Sequence, residues 1–339
     1  MSTEHQVRIL PHARSLRASA ERPVLDAALH AGLNLPHSCK SGHCSSCRAR
    51  LISGEIHYPH GRPVGLTVAE AAQGFVLLCQ ARARSDLVIE ARTIARVGEV
   101  EIKTLPCRIA HLQRLAPDVM QVFLRLPAVE SLDFQPGQYL DVLLEEDRRR
   151  SFSIASPPHD SGLIEIHVRH VAGGSFTSRL FAGSLREGAL LRIEGPIGQF
   201  VYRDDRRPAL LIAGGTGFAP LKSILRHVLE RGGARPLELY WGARSAVDLY
   251  EAPLLATWLA RYPQLKYIPV LSEAQPSGQR RGWVHAAVLE DHPSLAGREV
   301  YAAGPPAMIE AIRASFPAHG LAPDDLHFDS FDFAADAVK

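Results

Sequence analysis

Pro36-His37-Ser38-Cys39-Lys40-Ser41-Gly42-His43-Cys44-Ser45-Ser46-Cys47 packs three thiols into nine residues, and Cys79 follows after 31 more. Four thiolates can hold two irons, and C-x4-C-x2-C with a distant fourth cysteine is the spacing of a [2Fe–2S] centre. The residues between the thiols are small, so the chain can wrap tightly and aim backbone N–H groups at the sulfurs. Gly42 tolerates the positive φ that such a loop uses. The alternative is zinc, which also accepts four thiolates and uses C-x2-C pairs. Zinc sites normally draw on two such pairs, whereas Cys79 has no near partner. His43 lies among the ligands, but a Rieske centre needs two histidines, so His43 reads as an exposed loop residue. The candidate ligands are Cys39, Cys44, Cys47 and Cys79. Cys107 is left over as a buried thiol.

The rest of the composition agrees with a globular chain. Of 339 residues, 46% are hydrophobic and 22% charged, and net charge is +2. Such a balance excludes wholesale disorder and gives no electrostatic pull toward nucleic acid or anionic lipid. Five cysteines, an odd number, exclude a complete disulfide framework. No basic start runs into an apolar stretch, and no run of about 18 apolar residues occurs. The expectation is a soluble cytoplasmic protein of two or three domains, binding neither nucleic acid nor membrane.

Three rhythms divide the chain. Residues 7–10 alternate like a strand, 23–32 carry a helical stripe stopped by Gly32, and 75–78 lead into Cys79. A strand-edged linker is expected at 94–103. From about 100 to 203 the periodicity is that of short strands (119–126, 139–144, 164–168, 190–193) between Gly, Pro and Asp turns, which suggests a small barrel. Beyond it, strand candidates at 209–213, 237–241, 267–271, 299–303 and 326–329 begin 28, 30, 32 and 27 residues apart. Helical candidates at 220–231, 253–260, 284–290 and 306–316 separate them. That recurrence argues for an open parallel sheet covered by helices.

The stretch 36–47, with Leu77-Leu78-Cys79-Gln80, resembles the ferredoxin module of plant-type [2Fe–2S] proteins, with Ser45 where many relatives carry Gly or Ala. Arg150-Ser151-Phe152-Ser153 resembles the R-x-Y-S motif of the ferredoxin–NAD(P)H reductase superfamily. The resemblance implies FAD, with Arg150 on its pyrophosphate, Phe152 stacked on the isoalloxazine and Ser153 near flavin N5. A guanidinium fork suits a pyrophosphate and an aromatic face suits a flat ring. Phe152 replaces the commoner tyrosine, which keeps stacking and loses one hydroxyl. His167-Val168-Arg169 and Gly173-Gly174-Ser175-Phe176-Thr177 match the family's flavin-lining strand and pyrophosphate turn. The 134–139 stretch, Phe-Gln-Pro-Gly-Gln-Tyr, matches a turn of the same family.

Ala213-Gly214-Gly215-Thr216-Gly217-Phe218-Ala219-Pro220 is neither G-x-G-x-x-G nor a P-loop, for no G-K-[ST] follows. It resembles the superfamily's G-G-T-G-x-x-P loop, which receives the pyridine-nucleotide pyrophosphate. This implies contacts from Gly215, Thr216 and Gly217, with Pro220 in the first turn of a helix. Trp241, Gly242 and Arg244 fall on the family's Y-x-G-x-R motif. Gly304, Pro305 and Met308 fall on its C-G-P-P-x-M motif, in which Ala303 replaces the cysteine. NADH is expected over NADPH because Asp248 follows Arg244. Phe331, in 327–333, matches the C-terminal aromatic that covers the flavin.

The resemblance spans nearly the whole chain. It implies an α+β, β-grasp ferredoxin domain (1–95), an antiparallel FAD barrel (100–203) and an α/β NAD(P)H domain (204–339). The resemblance implies passage of electrons from NADH through FAD and the cluster to a protein acceptor, and a monomer is expected. The expected acceptor is an oxygenase hydroxylase component. The alternative is the dehydratase of a nucleotide-deoxysugar system, as in CDP-6-deoxy-Δ3,4-glucoseen reductases, toward which the 328–333 stretch leans. A remote alternative is a zinc-bearing, non-enzymatic nucleotide-binding module.

Overall fold

Val7 and Ile9 bury one face of the first strand and set the core of the N-terminal unit. A computed structural model describes the chain apart from residues 1–3, 12–13, 32, 34, 38–39, 41, 43–46, 92–101, 146–147, 161, 274–279 and 332–339. Most of the linker expected at 94–103 lies outside the described residues. Two compact units result, Met1–Glu99 and Val100–Lys339.

The first unit runs β1 (Glu4–Leu10), β2 (Arg14–Ser19), α1 (Val24–His30), β3 (Arg48–Ser53), β4 (Ile56–His57), α2 (Val68–Ala72), β5 (Phe75–Leu77), β6 (Arg82–Ala83) and β7 (Leu87–Glu90). Its β-grasp-like sheet has the order β2-β1-β7-β3-β5, with β1 and β7 parallel. Helix α1 begins after Pro23, whose missing N–H is harmless there. It buries Val24, Leu25, Ala27 and Ala28 on the sheet. Helix α2 starts with a capping box, Thr67 accepting from the Glu70 N–H while Glu70 accepts from that of Thr67.

The second unit opens with β8 (Lys103–Ala116), β9 (Val119–Arg125), β10 (Tyr139–Leu143), β11 (Arg149–Ser153), β12 (Ile164–Arg169), α3 (Ser175–Phe181) and β13 (Leu190–Ile197). These strands form a six-stranded antiparallel sheet in the order β11-β10-β13-β8-β9-β12. Ile154 and Ile166, at the two edges, share an isolated bridge. Two of its strands, β8 and β11, have no counterpart in the sequence reading. In β8 the buried alternation Leu105, Cys107, Ile109 is broken by register shifts at Ile109/His111 and Arg114/Ala116. Bulges of this kind bend a strand and interrupt its period.

The chain continues with β14 (Ala209–Gly214), α4 (Phe218–Glu230), β15 (Leu237–Ala243), α5 (Ala252–Arg261), β16 (Leu265–Leu271), α6 (Val284–Asp291), β17 (Glu299–Gly304), α7 (Pro306–Ser315) and β18 (Leu326–Ser330). All five strands are parallel, in the order β16-β15-β14-β17-β18. Strand β14 is central and buried along its whole length, hence its unbroken apolar run. The strand order reverses at β14, and in open sheets ligands bind beyond the carboxyl ends at such a switch point. No helix among the described residues is long and apolar enough to cross a membrane.

Cys107 lies in β8, 2% exposed, its thiol pushed up to about 12 by burial. A thiol so protonated and enclosed is a poor nucleophile. Native protein treated with iodoacetamide at pH 8 is expected to leave Cys107 unmodified by mass spectrometry, whereas urea-unfolded protein alkylates fully there. Labelling of Cys107 in the folded protein would show that β8 opens.

Candidate functional site

In the first unit, the pairing of β3 with β5 sets Arg48 opposite Leu77, so the residues just outside both strands meet. The Leu78 N–H donates to the Cys47 carbonyl (3.2 Å) and the Cys79 N–H points at Cys47 Sγ (3.5 Å). A backbone N–H aimed at a sulfur is what a thiolate-held cluster uses. The incoming loop is pinned nearby: Gln80 Nε2 donates to the Lys40 carbonyl (2.8 Å), and the Gly65 N–H to that of Gly42 (2.9 Å). Gly42 has φ +85, and a Cβ there would stand 2.9 Å from both Gln80 Cγ and Pro63 Cβ. Two residues before Cys39, the buried His37 donates through Nδ1 to the Leu35 carbonyl, while its Nε2 has no partner. Burial foremost pushes the His37 pKa down to about 4, and Lys40 adds to it. The Tyr58 hydroxyl accepts from the Leu77 N–H; its pKa is pushed up to about 12, chiefly by burial and then by the Cys47 and Cys79 sulfurs. Cys39, Cys44, His43 and Ser45 lie outside the described residues. The described half of the ligand set, a tight glycine cradle and sulfur-directed N–H groups, fits a thiolate-bound cluster.

In the antiparallel sheet, register sets Ser153 opposite Tyr139 and Arg150 opposite Val142. Ser153 is buried, and Arg150 Nη1 donates to the Arg149 carbonyl (2.7 Å). The Phe152 ring is tilted against Phe176 of α3, centroids 5.4 Å apart. The turn before α3 carries Gly173 at φ +76 and the buried Gly174, whose hypothetical Cβ would lie 2.7 Å from Thr177 Oγ1. Thr177 closes that turn by accepting from the Val171 N–H (3.2 Å). Ser175 Oγ is buried and has no hydrogen-bond partner. A turn stripped of side chains beside an orphaned hydroxyl suits a phosphate-bearing group.

Beyond β14, Gly215-Thr216-Gly217 forms one 3-10 turn that passes into α4, two residues earlier than expected. Gly215 has φ +54, and a Cβ on it would lie 2.7 Å from Arg169 Nη1. Gly217 has an ordinary φ of −58, yet its Cβ would lie 1.9 Å from the Ala303 carbonyl oxygen. Gly304, at φ +156, leaves room for Met308, whose Sδ would lie 2.8 Å from a Cβ on Gly214. Pro305 caps α7, and the Phe331 N–H donates to the Gly304 carbonyl (2.9 Å). The loop after β14, the end of β17 and Phe331 therefore share one crevice.

Trp241 sits under that crevice, fully buried. Its indole N–H donates to the Gly215 carbonyl (3.0 Å) and its ring stacks on Phe218 at 4.1 Å. Gly242 packs against Val284. Arg244 is exposed at the end of β15, with Nη2 3.3 Å from Asp248 and 3.6 Å from Asp118. Asp118, from the turn after β8, also pairs with Arg169 (3.0 Å).

In β12, Val168 faces the core of the antiparallel sheet, whereas His167 is buried on the other face. There Glu165 Oε1 accepts from Gln121 (2.5 Å), His167 Nε2 (2.8 Å) and Lys222 Nζ (2.8 Å). Burial alone would raise the Glu165 carboxyl, but His167 and Lys222 together hold it well below the usual carboxylate range. Lys222 also donates to Glu251 (2.5 Å), and His167 Nδ1 meets the Tyr250 hydroxyl at 3.1 Å. Glu165, His167 and Glu251 converge as metal ligands do, but the Lys222 ammonium fills the cation's place. Sequence reasoning missed Asp118, Glu165, Lys222 and Glu251. The available signal was Lys222, a lysine inside a helix face that is otherwise apolar.

Comparison with known proteins matches three family models in order: a 2Fe-2S iron-sulfur cluster binding domain (7–84), an oxidoreductase FAD-binding domain (106–202) and an oxidoreductase NAD-binding domain (211–314). The chain is 36% identical over 326 residues to a CDP-6-deoxy-L-threo-D-glycero-4-hexulose-3-dehydrase reductase of Yersinia pestis, covering 96% of this chain and 98% of that one. It is also 36% identical to a terephthalate 1,2-dioxygenase reductase component of Comamonas, covering 96% and 97%. The crystal structure of an Amycolatopsis cytochrome P450 reductase superposes with a TM-score of 0.79 at 32% identity, covering 96% and 98%. The chain belongs to the ferredoxin–NAD(P)H reductase superfamily, as an NAD(P)H-dependent flavin and iron–sulfur oxidoreductase with an N-terminal [2Fe–2S] domain.

Proposed function

We propose that the chain is the NADH-dependent reductase of a CDP-deoxysugar dehydrase, delivering single electrons to that partner protein. The observation that carries the electron-transfer reading is the contact between the flavin-strand end and the glycine loop, Arg169 against Gly215. The 36% match over almost the full length of the dehydrase reductase supports the partner. A second reading, delivery to an oxygenase component, draws on the equal identity to the terephthalate dioxygenase reductase.

In this reading the antiparallel sheet curls into the FAD barrel. Arg150, Gly173, Gly174, Ser175 and Thr177 receive the pyrophosphate, while Phe152 and Arg169 line the flavin, with His167 and Val168 offering it backbone only because both their side chains are buried. Ser153 stands at the reacting edge and Phe331 covers the nicotinamide side. Gly215, Thr216, Gly217, Gly304, Pro305 and Met308 hold the coenzyme, Gly242 and Arg244 reach its adenosine half, and Trp241 supports the loop from below. Cys39, Cys44, Cys47 and Cys79 ligate the cluster. When bound, flavin accepts a hydride and releases electrons singly, the conversion a two-electron donor and a one-electron cluster require. Ala303 stands where the family carries a cysteine, and it is its carbonyl, not its side chain, that meets the glycine loop.

Three outcomes are expected. Adding the purified dehydrase and its CDP-hexulose substrate raises NADH oxidation by the holoenzyme at least tenfold, whereas an aromatic-ring dioxygenase component does not; the reverse pattern transfers the assignment to the oxygenase reading. Gly217→Ala, whose φ is ordinary but whose Cβ meets the Ala303 carbonyl, weakens NADH binding at least tenfold by titration while FAD stays stoichiometric. Unchanged affinity would remove the loop from the coenzyme site. Asp248 and Asp118 surround Arg244 with negative charge that repels a 2′-phosphate. Asp248→Asn is therefore expected to shift the ratio of kcat/KM for NADH over NADPH at least fivefold toward NADPH.

A further inference from the structure

Strand β12 alternates in the usual way, and its second face is the informative one. Ile164, Ile166 and Val168 fill the core of the antiparallel sheet, while Glu165 and His167 point away from it. That second face is covered by α4 and by Tyr250 and Glu251 ahead of α5. Apolar side chains would cover it equally well, and well-packed apolar replacements of buried ion pairs are often neutral or stabilising. A buried charge cluster there calls for a reason other than stability.

The cluster differs from an apolar contact in its directionality. One ammonium, 6% exposed, is held by two carboxylates from two separate elements, and Glu165 is fixed in turn by Gln121 of β9 and by His167. Ser223, the next residue of α4, adds a hydroxyl donated to the Ser156 carbonyl (2.7 Å). Helix α4 cannot slide along β12 without breaking several of these bonds together. The same helix begins with the glycine loop, and the same strand ends at Val168 and Arg169.

We propose that Lys222 is a positioning residue for hydride delivery: the Lys222–Glu165–Glu251 hub fixes the separation between the glycine loop and the end of β12, and hence between nicotinamide and flavin rings. The proposal rests on the reading of that loop as the coenzyme site and of that strand as flavin-lining. Lys222 touches neither ring in this account and acts through helix and strand. The required tolerance is narrow, since reacting atoms must come within about 3–3.5 Å and a displacement of about 1 Å costs on the order of a hundredfold in rate.

The test uses the FAD-loaded, full-length protein under anaerobic conditions. Lys222→Met keeps length and volume and removes the charge. Stopped-flow reduction by NADH should give a limiting rate at least tenfold below wild type, with the coenzyme Kd changed by less than threefold and FAD stoichiometric. The long-wavelength charge-transfer band of reduced flavin with NAD+, which depends on ring overlap, should weaken as well. A purely structural role would leave that band and the split between rate and affinity untouched. Should Lys222→Met fail to fold, the charge-balanced Lys222→Met/Glu165→Gln takes its place with the same outcome expected. A wild-type limiting rate with an intact band, or a loss confined to Kd, overturns the proposal. Gly217→Ala separates the two levels: unchanged NADH affinity there refutes the site reading, whereas weakened affinity there with a silent Lys222→Met refutes positioning alone.

Discussion

A backbone carbonyl sets the geometry of the crevice beyond β14. The oxygen of Ala303 occupies the space in which a side chain on Gly217 would begin, so β17 and the first turn of α4 approach to within bare-backbone distance. Everything else at the mouth follows from that approach. Met308 fits beside Gly214 only because Gly304 also lacks a side chain, and Phe331 hydrogen-bonds to Gly304 because β18 runs alongside β17. The glycines serve two physical ends here. Gly215 is required by its positive φ and Gly217 by space alone.

Around that contact the protein uses charge where a simple sheet-and-helix packing would use hydrocarbon. Asp118 bridges Arg169 and Arg244, and Lys222 bridges Glu165 and Glu251. The first network is half exposed and screened, so it shapes recognition more than stability. The second is buried, and loss of either partner leaves an uncompensated charge in low dielectric. Between them the antiparallel sheet and the parallel sheet are joined by interactions of defined direction, alongside an apolar cluster that sets Ala116, Val119 and Phe200 against the parallel sheet's core.

Sequence reasoning reaches furthest where a pattern has one physical meaning. The recurrence of apolar strands predicts the parallel sheet nearly residue by residue, with β14, β15, β17 and β18 each found within two residues of expectation and β16 starting two residues early. The cysteine spacing singles out Cys47 and Cys79 among four candidate ligands, and the register of β3 and β5 brings these two close together. Illegible features come from the third dimension. Glu165 shows only as one polar position of an alternating strand, and nothing local says that a helix fifty residues on will cover it together with His167. Strand β8 hides its length because two bulges reset its period. Trp241 sits in a motif associated with coenzyme, yet it is fully buried and meets the glycine loop from beneath.

That last arrangement gives the molecule a built-in optical gauge. All three tryptophans, Trp241, Trp258 and Trp283, fall within the nucleotide-binding segment. Trp283 is exposed, so solvent quenchers remove its emission, whereas Trp258, 7% exposed, shares the shielded component with Trp241 until Trp258→Phe removes it. Because the indole N–H of Trp241 is bonded to the glycine loop after β14, any shift of Gly215 changes the polarity its excited state feels. In the Trp258→Phe protein the unquenched component of the fluorescence thus reads loop position, without label or turnover.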